Sequence, residues 1–325
     1  IKNMTIGDTD YHFMLDSLEV QLKLVRDKIE QLQLVETAIE DTSYEIKEHH
    51  AVNWEKMLNL IHLTGMEKAV KKQYQNATNI SSRIRLHRLY SKNKKGWFPW
   101  IFDQLNLKDG MKVLEIGCGN GMLWEENDYQ IPRKIMINLS DVSEGMLRDA
   151  RRNVGSEDKR FKFEIVDAEN IPYEAETFDV IIANHMLFYC ENLKKTCSEI
   201  ARVLKKTGMF VCSTYGENHM KEVNDLVRGF DNRIVLSADK LYEKFGKENG
   251  EKVLKPYFKS IDWKEYSDWL EIQEGEPLIA YILSCHGNQN QYILNHYNEF
   301  RDYVKEKVKK NFFVTKEAGI FVCKK

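Results

Sequence analysis

A glycine-rich stretch carries the most distinctive chemistry in this sequence. Residues 113–121 read "VLEIGCGNG", in which apolar residues surround an acid at Glu115 and three glycines alternate with other residues. Gly117, Gly119 and Gly121 allow a sharp turn and let the backbone approach a ligand where a Cβ would collide. Their Gly-x-Gly-x-Gly spacing differs from the Gly-x-Gly-x-x-Gly of a dinucleotide site. Glu115 would repel phosphates, so the stretch favours a positively charged ligand.

Two further acids follow strand-like apolar runs. Asp141 lies in "INLSDVSEGMLRDAR" and Asp167 lies in "FEIVDAENIPY". A carboxylate at the end of the second strand can accept paired hydrogen bonds from a ribose diol, and Ser143 can cap the next helix. Asp167 is placed to accept from an exocyclic adenine amine, and the backbone N–H of Ala168 would face a ring nitrogen.

One ligand satisfies all three acids. It would present a cationic amino-acid or sulfonium group to Glu115, a ribose to Asp141 and an adenine to Asp167. S-adenosylmethionine contains these three parts. Any one acid alone is better explained as a solvated or capping carboxylate, but three acids at the ends of successive strands agree with one another.

The elements that must position these acids alternate along the chain. Short apolar runs are separated by amphipathic helices; the runs are "KVLEI", "KIMINL", "FKFEIV", "FDVIIA" and "MFVCST". Runs that are apolar on both faces are expected of parallel strands covered by helices on each side. Gly208 is expected to end the helix before the fifth run. The apolar face of that helix is predicted to contain Leu193, Cys197, Ile200 and Leu204.

The order of runs and helices predicts an open, doubly wound α/β sheet, in which ligands bind beyond the carboxyl ends of the strands. After the fifth run, "GENHMKEVNDLVRGF" is predicted to be a helix, "SIDWKEYSD" the sixth strand and "GIFVCKK" a strand that pairs with it antiparallel at the sheet edge. A helical insertion is expected at about residues 270–310. Its aromatic residues either line an acceptor pocket or, more simply, form core: Tyr281, Tyr292, Tyr297 and Phe300.

Four ordered segments together resemble a class I S-adenosylmethionine-dependent methyltransferase. They are "VLEIGCGNG", "SDVSEGMLRDAR", "VDAENIPYEAETFDVIIANHMLFY" and "EIARVLKKTGMFVCST", and they are most similar to ubiquinone/menaquinone-biosynthesis-type and related bacterial small-molecule methyltransferases. The resemblance covers roughly residues 86–325. It implies a Rossmann-like seven-stranded sheet, S-adenosylmethionine as cofactor, S-adenosylhomocysteine as product and a small-molecule acceptor. The sequence "ANHMLFY" departs from the Asn-Pro-Pro-Tyr type of nucleic-acid and protein amide-methylating enzymes.

The resemblance also implies roles for individual residues. Glu115 and the glycines would surround the methionine moiety, while Asn184 and His185 would border the methyl group. "LHRLYSKNKKGW" resembles a segment that precedes the first motif in some of these enzymes, so His87, Tyr90 and Trp97 are expected in a cofactor lid. The set expected at the cofactor is Glu115, Gly117, Cys118, Gly119, Gly121, Asp141, Val142, Met146, Asp167, Ala168, Asn184, Tyr90 and Trp97.

The chemistry requires alignment above all, because a methyl group on a sulfonium is already activated. Holding the acceptor in line can contribute about 7–11 kcal/mol. A hydroxyl or ammonium acceptor also needs a base. His185 is the candidate and Tyr189 a weaker one, although an orienting or packed histidine is the favoured interpretation of His185. The aromatic cluster around Pro99, in "GWFPWIF", is typical of a sealed domain edge; the functional alternative is that residues Tyr90 to Trp97 cover a bound ligand.

The region before Gly96 contains few glycines and no proline, which predicts helices. Residues 1–50 are expected to form a coiled-coil dimerisation helix, 51–95 a helical linker or lid, and 96–325 the methyltransferase domain. The heptad positions are Tyr11, Leu15, Leu18, Leu22, Val25, Ile29, Leu32 and Ile39. The alternative is one amphipathic helix packed on its own domain, without a homodimer.

This N-terminal helix also resembles, in pattern and length alone, the dimerisation helix of MerR-type transcription regulators. Because Ile1 is not a methionine, the chain is expected to be a fragment, and a DNA-binding domain upstream would be its only route to nucleic acid. The second functional hypothesis is therefore a regulator whose methyltransferase-like domain senses S-adenosylmethionine or a small molecule.

Composition sets the remaining limits. The net charge of −2 argues against a large nucleic-acid-binding face, and no apolar run approaches the length needed to span a membrane. The six cysteines include no Cys-x-x-Cys pair, which predicts reduced thiols, a cytoplasmic location and no metal site.

Overall fold

The computed structural model describes residues 85–237, 240–285 and 287–325, together with Leu22, Glu36, Glu40, Ser43 and Lys47 as single positions. The chain divides into two compact units, Ile1–Arg85 and Leu86–Lys325. Apart from the five single positions, which are helical and exposed, the expected coiled coil of residues 1–50 lies outside the described residues. The helical block expected at residues 51–84 also lies outside them.

The second unit contains nine strands in its described residues. The first five are β1 (Lys112–Ile116), β2 (Met136–Asp141), β3 (Phe161–Ile165), β4 (Phe178–Asn184) and β5 (Leu204–Tyr215). The others are β6 (Ser260–Glu265), β7 (Asp268–Ile272), β8 (Phe312–Lys316) and β9 (Ala318–Lys324). Seven of them form one sheet in the order β3-β2-β1-β4-β5-β9-β6. This is the seven-stranded α/β sheet that the sequence predicts.

Strands β1 to β5 pair in parallel, and they coincide with the five apolar runs of the sequence. Strand β9 lies between β5 and β6 and is antiparallel to both. The predicted antiparallel hairpin at the sheet edge is therefore confirmed. Because β1 to β4 are parallel neighbours, their carboxyl ends meet along one edge of the sheet.

The described residues also form ten α-helices: α1 (Trp97–Leu105), α2 (Met122–Glu125), α3 (Glu144–Val154), α4 (Leu193–Val203), α5 (Lys221–Phe230), α6 (Leu241–Lys244), α7 (Gly250–Leu254), α8 (Gly275–Leu283), α9 (Gln289–Ile293) and α10 (Tyr297–Val308). Helices α1 to α3 pack on one face of the seven-stranded sheet, and α4, α6 and α7 pack on the other. In β1, Leu114 belongs to the core on one face and Val113 to the core on the other. Alternate side chains of one strand thus enter opposite cores, which is why the strands are apolar throughout.

The start of α3 is capped as predicted, whereas the end of α4 is not. The Ser143 hydroxyl accepts from the Met146 N–H at 3.3 Å. Helix α4 ends at Val203, and Leu204 is the first residue of β5, where it pairs with Phe178 and is fully buried. Gly208 therefore lies inside β5, at a shift of register between Phe178 and Val180, and does not end the helix. Strand pairing and burial outweigh the helical periodicity of Leu204 here.

A third core is formed by a group of elements that we call the cap. The cap consists of α5, the insertion helices α8, α9 and α10, and the two-stranded antiparallel sheet of β7 and β8. Helices α8, α9 and α10 lie within the helical insertion expected at about residues 270–310. The sixth strand predicted in "SIDWKEYSD" is present but shorter: β6 ends at Glu265, and β7, which the sequence did not predict, begins at Asp268. Helix α5 also begins later than predicted, at Lys221.

Candidate functional site

The glycine-rich loop lies at the carboxyl ends of β1 and β2. The Cys118 N–H donates to the Ser140 carbonyl at 2.9 Å, and the Gly119 N–H donates to Asp141 Oδ2 at 3.0 Å. The Ser140 hydroxyl donates to the Glu115 carbonyl at 2.8 Å. These bonds fasten the loop to the neighbouring strand and fix its backbone at the sheet edge.

Asp141 is a buried carboxylate at the end of β2. In addition to the Gly119 bond, its Oδ1 accepts from the Ser143 N–H at 2.9 Å. Burial raises its pKa, and these backbone donors oppose the rise. A carboxylate has about four lone-pair sites, so Asp141 retains capacity to accept from a ligand.

Glu115 and Asn184 form a buried pair across β1 and β4. Glu115 is 2% exposed, and its carboxylate accepts from Trp124 Nε1 at 2.6 Å and from Asn184 Nδ2 at 3.0 Å. Burial raises the pKa of Glu115 to about 8; both hydrogen bonds oppose this rise, and the charge of Asp141 adds to it. Asn184 Oδ1 is buried without a hydrogen-bond partner among the described residues. A cationic donor would satisfy that oxygen and favour the ionised form of Glu115.

The three glycines of the loop serve different purposes. Gly119 has φ +54°, and a Cβ there would meet no atom within 4 Å, so its backbone faces open space. A Cβ at Gly117 would lie 3.0 Å from Met186 Cβ, and one at Gly121 would lie 2.9 Å from Val154 Cγ2. Gly119 is thus the position at which a ligand can approach the backbone, while the other two permit close packing. The Cys118 side chain is buried in the core, so only its backbone belongs to the loop surface.

The residues expected at an adenine lie beside Asp141. The Val166 N–H donates to the Asp141 carbonyl at 3.3 Å, which joins the end of β3 to this acid. Val142, directly after β2, is 60% exposed. Asp167 is exposed and accepts from the Glu169 N–H at 2.9 Å, whereas Ala168 is buried. Met146, on the first turn of α3, is half-buried.

A line of aromatic and imidazole rings begins at the end of β4. We call it the ring cluster: Trp97, His185, Tyr215, His219 and His87. Trp97 stacks on His185 with ring centroids 5.2 Å apart and an interplanar angle of 17°. Tyr215 lies 6.4 Å from His185 and 5.3 Å from His219, and His87 lies 6.4 Å from His219. Of the expected lid residues, Trp97 and His87 join this cluster, while Tyr90 packs against the core of the cap.

His185 has a strained backbone and a desolvated ring. Its φ is +48°, in the left-handed region that non-glycine residues rarely adopt, and its N–H donates to the Ser213 hydroxyl at 2.9 Å. Such strain concentrates at functional sites. Burial lowers its pKa to about 4, and the positive charge of Lys316 contributes. At neutral pH His185 is therefore an uncharged, weak base, while Tyr189, the weaker candidate, is 64% exposed.

Three polar residues of this region were not predicted from the sequence. His219 belongs to the ring cluster, and Lys316 and Asp268 lie near it. Burial lowers the pKa of His219 to about 3, and nearby positive charge adds to the effect. His185 and His219 are desolvated, and yet each keeps part of its surface accessible, as expected of side chains that line a concave site. The alternation in "DWLEI" and the apolar run "FFVT" were the available signals for β7 and β8, which carry Asp268 and Lys316.

Within the described part of the chain, no group of three or more His, Cys, Asp or Glu side chains is arranged to hold a metal ion. None of the helices described there has the length and apolar character needed to cross a bilayer.

Comparison with known proteins gives one family and several partial relatives. Residues 107–274, just over half of the chain, match the family model described as "Methyltransferase domain". The malonyl-[acyl-carrier protein] O-methyltransferase of Halalkalibacterium halodurans is 33% identical over 116 residues, which are 35% of this chain and 42% of that protein. The demethylmenaquinone methyltransferase of Symbiobacterium thermophilum is 29% identical over 118 residues, which are 36% of this chain and 47% of that protein.

The match spans less than half the length of these curated relatives. Among solved structures, the YcgJ protein from Bacillus subtilis is 17% identical, and the match covers 70% of this chain and 97% of that chain with a TM-score of 0.49.

Proposed function

Because this chain belongs to the methyltransferase domain family, we propose that it transfers a methyl group from S-adenosylmethionine to a small-molecule acceptor and releases S-adenosylhomocysteine. The observation that carries the proposal is the bare backbone of Gly119 beside buried polar groups of neighbouring strands, Asp141 and the Glu115–Asn184 pair. This arrangement lies at the carboxyl edge of the sheet, where doubly wound folds bind their ligands.

The residues present fit this cofactor. The remaining lone pairs of Asp141 suit a ribose diol. The unpartnered Asn184 Oδ1 and the carboxylate of Glu115 suit an ammonium group. The exposed side chain of Val142 offers an apolar surface to an adenine, and Asp167 offers an acceptor for its amine.

The bound cofactor supplies a methyl group that its sulfonium has already activated. The protein residues therefore have to hold the acceptor in line and exclude water. Trp97 and His185, stacked at the end of β4, form a rigid wall for this purpose. Because its lowered pKa makes His185 a weak base, we propose that it orients the acceptor, and the base role predicted from sequence is disfavoured.

We also propose a homodimer formed through residues 1–50 and a cytoplasmic location. The support for the dimer is the heptad pattern of the sequence. The support for the location is the burial of thiols such as Cys197 and Cys212, whose pKa values burial raises. A cofactor-sensing MerR-type regulator is the alternative, but the complete set of site residues favours catalysis.

Calorimetry with S-adenosylhomocysteine, followed by incubation with radiolabelled S-adenosylmethionine and a panel of metabolites, tests the proposal. We expect binding, production of S-adenosylhomocysteine, and a loss of affinity of roughly ten- to a hundredfold in Asp141→Ala, since hydrogen bonds to a charged group are lost. Asp225→Ala, which removes an exposed carboxylate on α5, should bind normally. Absence of binding contradicts the proposal, and binding without turnover supports the regulator.

A further inference from the structure

A buried ion pair lies within the cap, and its carboxylate is also bonded to the segment that precedes α1. The Lys316 ammonium on β8 donates to Asp268 on β7, and the two side chains are 8% and 0% exposed. Asp268 also accepts from the Ser91 hydroxyl, the Lys92 N–H at 3.0 Å and the Asn93 N–H at 2.9 Å. Burial would raise the pKa of Asp268, but these bonds outweigh it and keep the carboxyl ionised. The lone-pair sites of the Asp268 carboxylate are thus all used by these donors.

Lys316 is not fully occupied. An ammonium has three N–H donors, and in the part of the chain that the structure describes only Asp268 accepts from it. Its other close partner is the face of the Tyr266 ring, 5.2 Å from Nζ. Leaving donors of a buried charge unsatisfied is costly, so a purely structural pair is a poor explanation. The unused donors point to an oxygen that is supplied by a ligand.

Lys316 is also close to the ring cluster. Its charge contributes to the lowered pKa of both His185 and His219. Tyr266, beneath the ammonium, packs edge-on against Trp97 with ring centroids 5.2 Å apart. The positive charge of Lys316 therefore acts on the rings beside the end of β4.

His219, in the ring cluster, offers a second hydrogen-bond donor, and the charge of Lys316 acts on its ring. Its Nδ1 accepts from the Glu317 N–H at 3.2 Å, which fixes the proton of the neutral ring on Nε2. The Glu317 carboxylate is held elsewhere, by Lys247 at 2.9 Å and by the Asn218 N–H at 2.9 Å. Lys316 and His219 thus each keep an N–H for which the described residues supply no acceptor, while the carboxylates of Asp268 and Glu317 are engaged.

We propose that Lys316 and His219 bind an anionic oxygen of the methyl acceptor, so that the site selects acceptors that carry a carboxylate and disfavours those that carry an ammonium in its place. This inference rests on the proposed methyltransferase function. It also agrees with the weak basicity of His185, because an oxygen that is already deprotonated requires no general base.

The test measures the charge preference of the full-length protein with matched sets of small molecules. The probes are benzoate, benzyl alcohol and benzylamine, and hexanoate, hexanol and hexylamine, each titrated with and without S-adenosylhomocysteine and followed by ligand-observed NMR. We expect the carboxylate of at least one set to bind roughly tenfold or more tightly than its alcohol and amine. Equal or tighter binding of the amines, or no carboxylate binding in either set, overturns the proposal.

Variants assign the preference to Lys316. Lys316→Met should abolish it, and Lys316→Arg should retain it. Lys316→Met leaves the buried Asp268 carboxylate without a positive charge beside it, and the single variant can fail to fold for that reason. The double variant Lys316→Met with Asp268→Asn replaces both charges with neutral side chains. Lys264→Met, which removes an exposed lysine of β6, is the matched control. Retention of the preference in folded Lys316→Met, or in the folded double variant, contradicts the role of Lys316.

Titration of S-adenosylhomocysteine into the same samples separates the two proposals. If it binds and the charge preference is absent, only the acceptor inference fails. If it does not bind, the proposed function fails first.

Discussion

The protonation state of Glu115 affects the free energy of unfolding. Burial raises its pKa from the usual 4.5 to about 8, while Trp124 and Asn184 donate to it. Its contribution to stability is complete below pH 4.5 and is lost as the pH rises through 8, because the folded state must then bury a negative charge.

Glu115→Gln removes this titration. The free energy of unfolding of the variant, relative to the wild type, should therefore increase by about 1.4 kcal/mol per pH unit across the range between the two pKa values. Urea denaturation at several pH values measures it. Glu251→Gln, at an exposed position of α7, should follow the wild type. Parallel stability profiles of Glu115→Gln and wild type would contradict the raised pKa.

Alanine variants at Gly119 and Gly110 separate the effect of blocking a ligand from the effect of backbone strain. Both glycines have positive φ, +54° and +86°, and a Cβ at either meets no atom within 4 Å. Alanine at either position should reduce stability by about 1–2 kcal/mol. Only Gly119→Ala should weaken the binding of S-adenosylhomocysteine, measured by calorimetry. Equal binding by both variants would show that no ligand approaches Gly119.

The site residues that the sequence predicts are those whose positions are determined by the end of a strand. Glu115, Asp141 and Asn184 each lie on a parallel strand, so their meeting at one edge follows from the fold class. Lys316 and Asp268 meet through the pairing of β7 with β8, two strands that are separated by the whole helical insertion. No local pattern determines that pairing, which is why the sequence did not reveal them.

Among the elements, the cap has a core of its own. Phe300 on α10 is fully buried there, whereas Phe313 on β8 is 56% exposed. Deleting a buried phenylalanine side chain typically costs about 3–5 kcal/mol. Because the sheet has separate cores, that loss should fall mainly on the cap.

Phe300→Ala should therefore increase hydrogen–deuterium exchange in α8 and α10, while exchange in β1 to β4 and the binding of S-adenosylhomocysteine change little. Phe313→Ala is the control and should leave the cap protected. If Phe300→Ala increases exchange equally across the sheet, the cap and the sheet unfold as one unit.

The elements with two buried faces were predicted best. Strands β1 and β4 are continuous apolar runs because helices cover both of their faces. Strand β7 instead alternates, with Asp268, Leu270 and Ile272 buried and Trp269 exposed. Only Tyr266 and Ser267 separate it from β6, so the two strands read as one in the sequence.

For the molecule as a whole, the resemblance to class I methyltransferases is confirmed by the family match over residues 107–274. The seven-stranded sheet follows from it and from the strand patterns. Dimerisation stays a prediction from the heptads. Leu22, on the predicted seam, is helical and 50% exposed, so an apolar surface is available at that position.

Leu22→Glu in the full-length chain should shift a dimer toward monomer, because it places a charge in the predicted seam. Light scattering coupled to size-exclusion chromatography measures the mass. Gln31→Glu adds the same charge at a heptad position away from the seam and its flanks, and it should leave the mass unchanged. A monomeric wild type, or a Leu22→Glu variant that stays dimeric, would contradict the predicted coiled coil.

The placement of β9 between β5 and β6 has a consequence for biosynthesis. Among the described strands, β6 pairs within the sheet with β9 alone, and on the ribosome β6 emerges before β7, α8, α9, α10 and β8 and well before residues 318–324. Nascent chains thus carry an unpaired strand edge, a known aggregation hazard. We expect translation pauses within the cap to leave this edge open for longer and to increase the demand for chaperones.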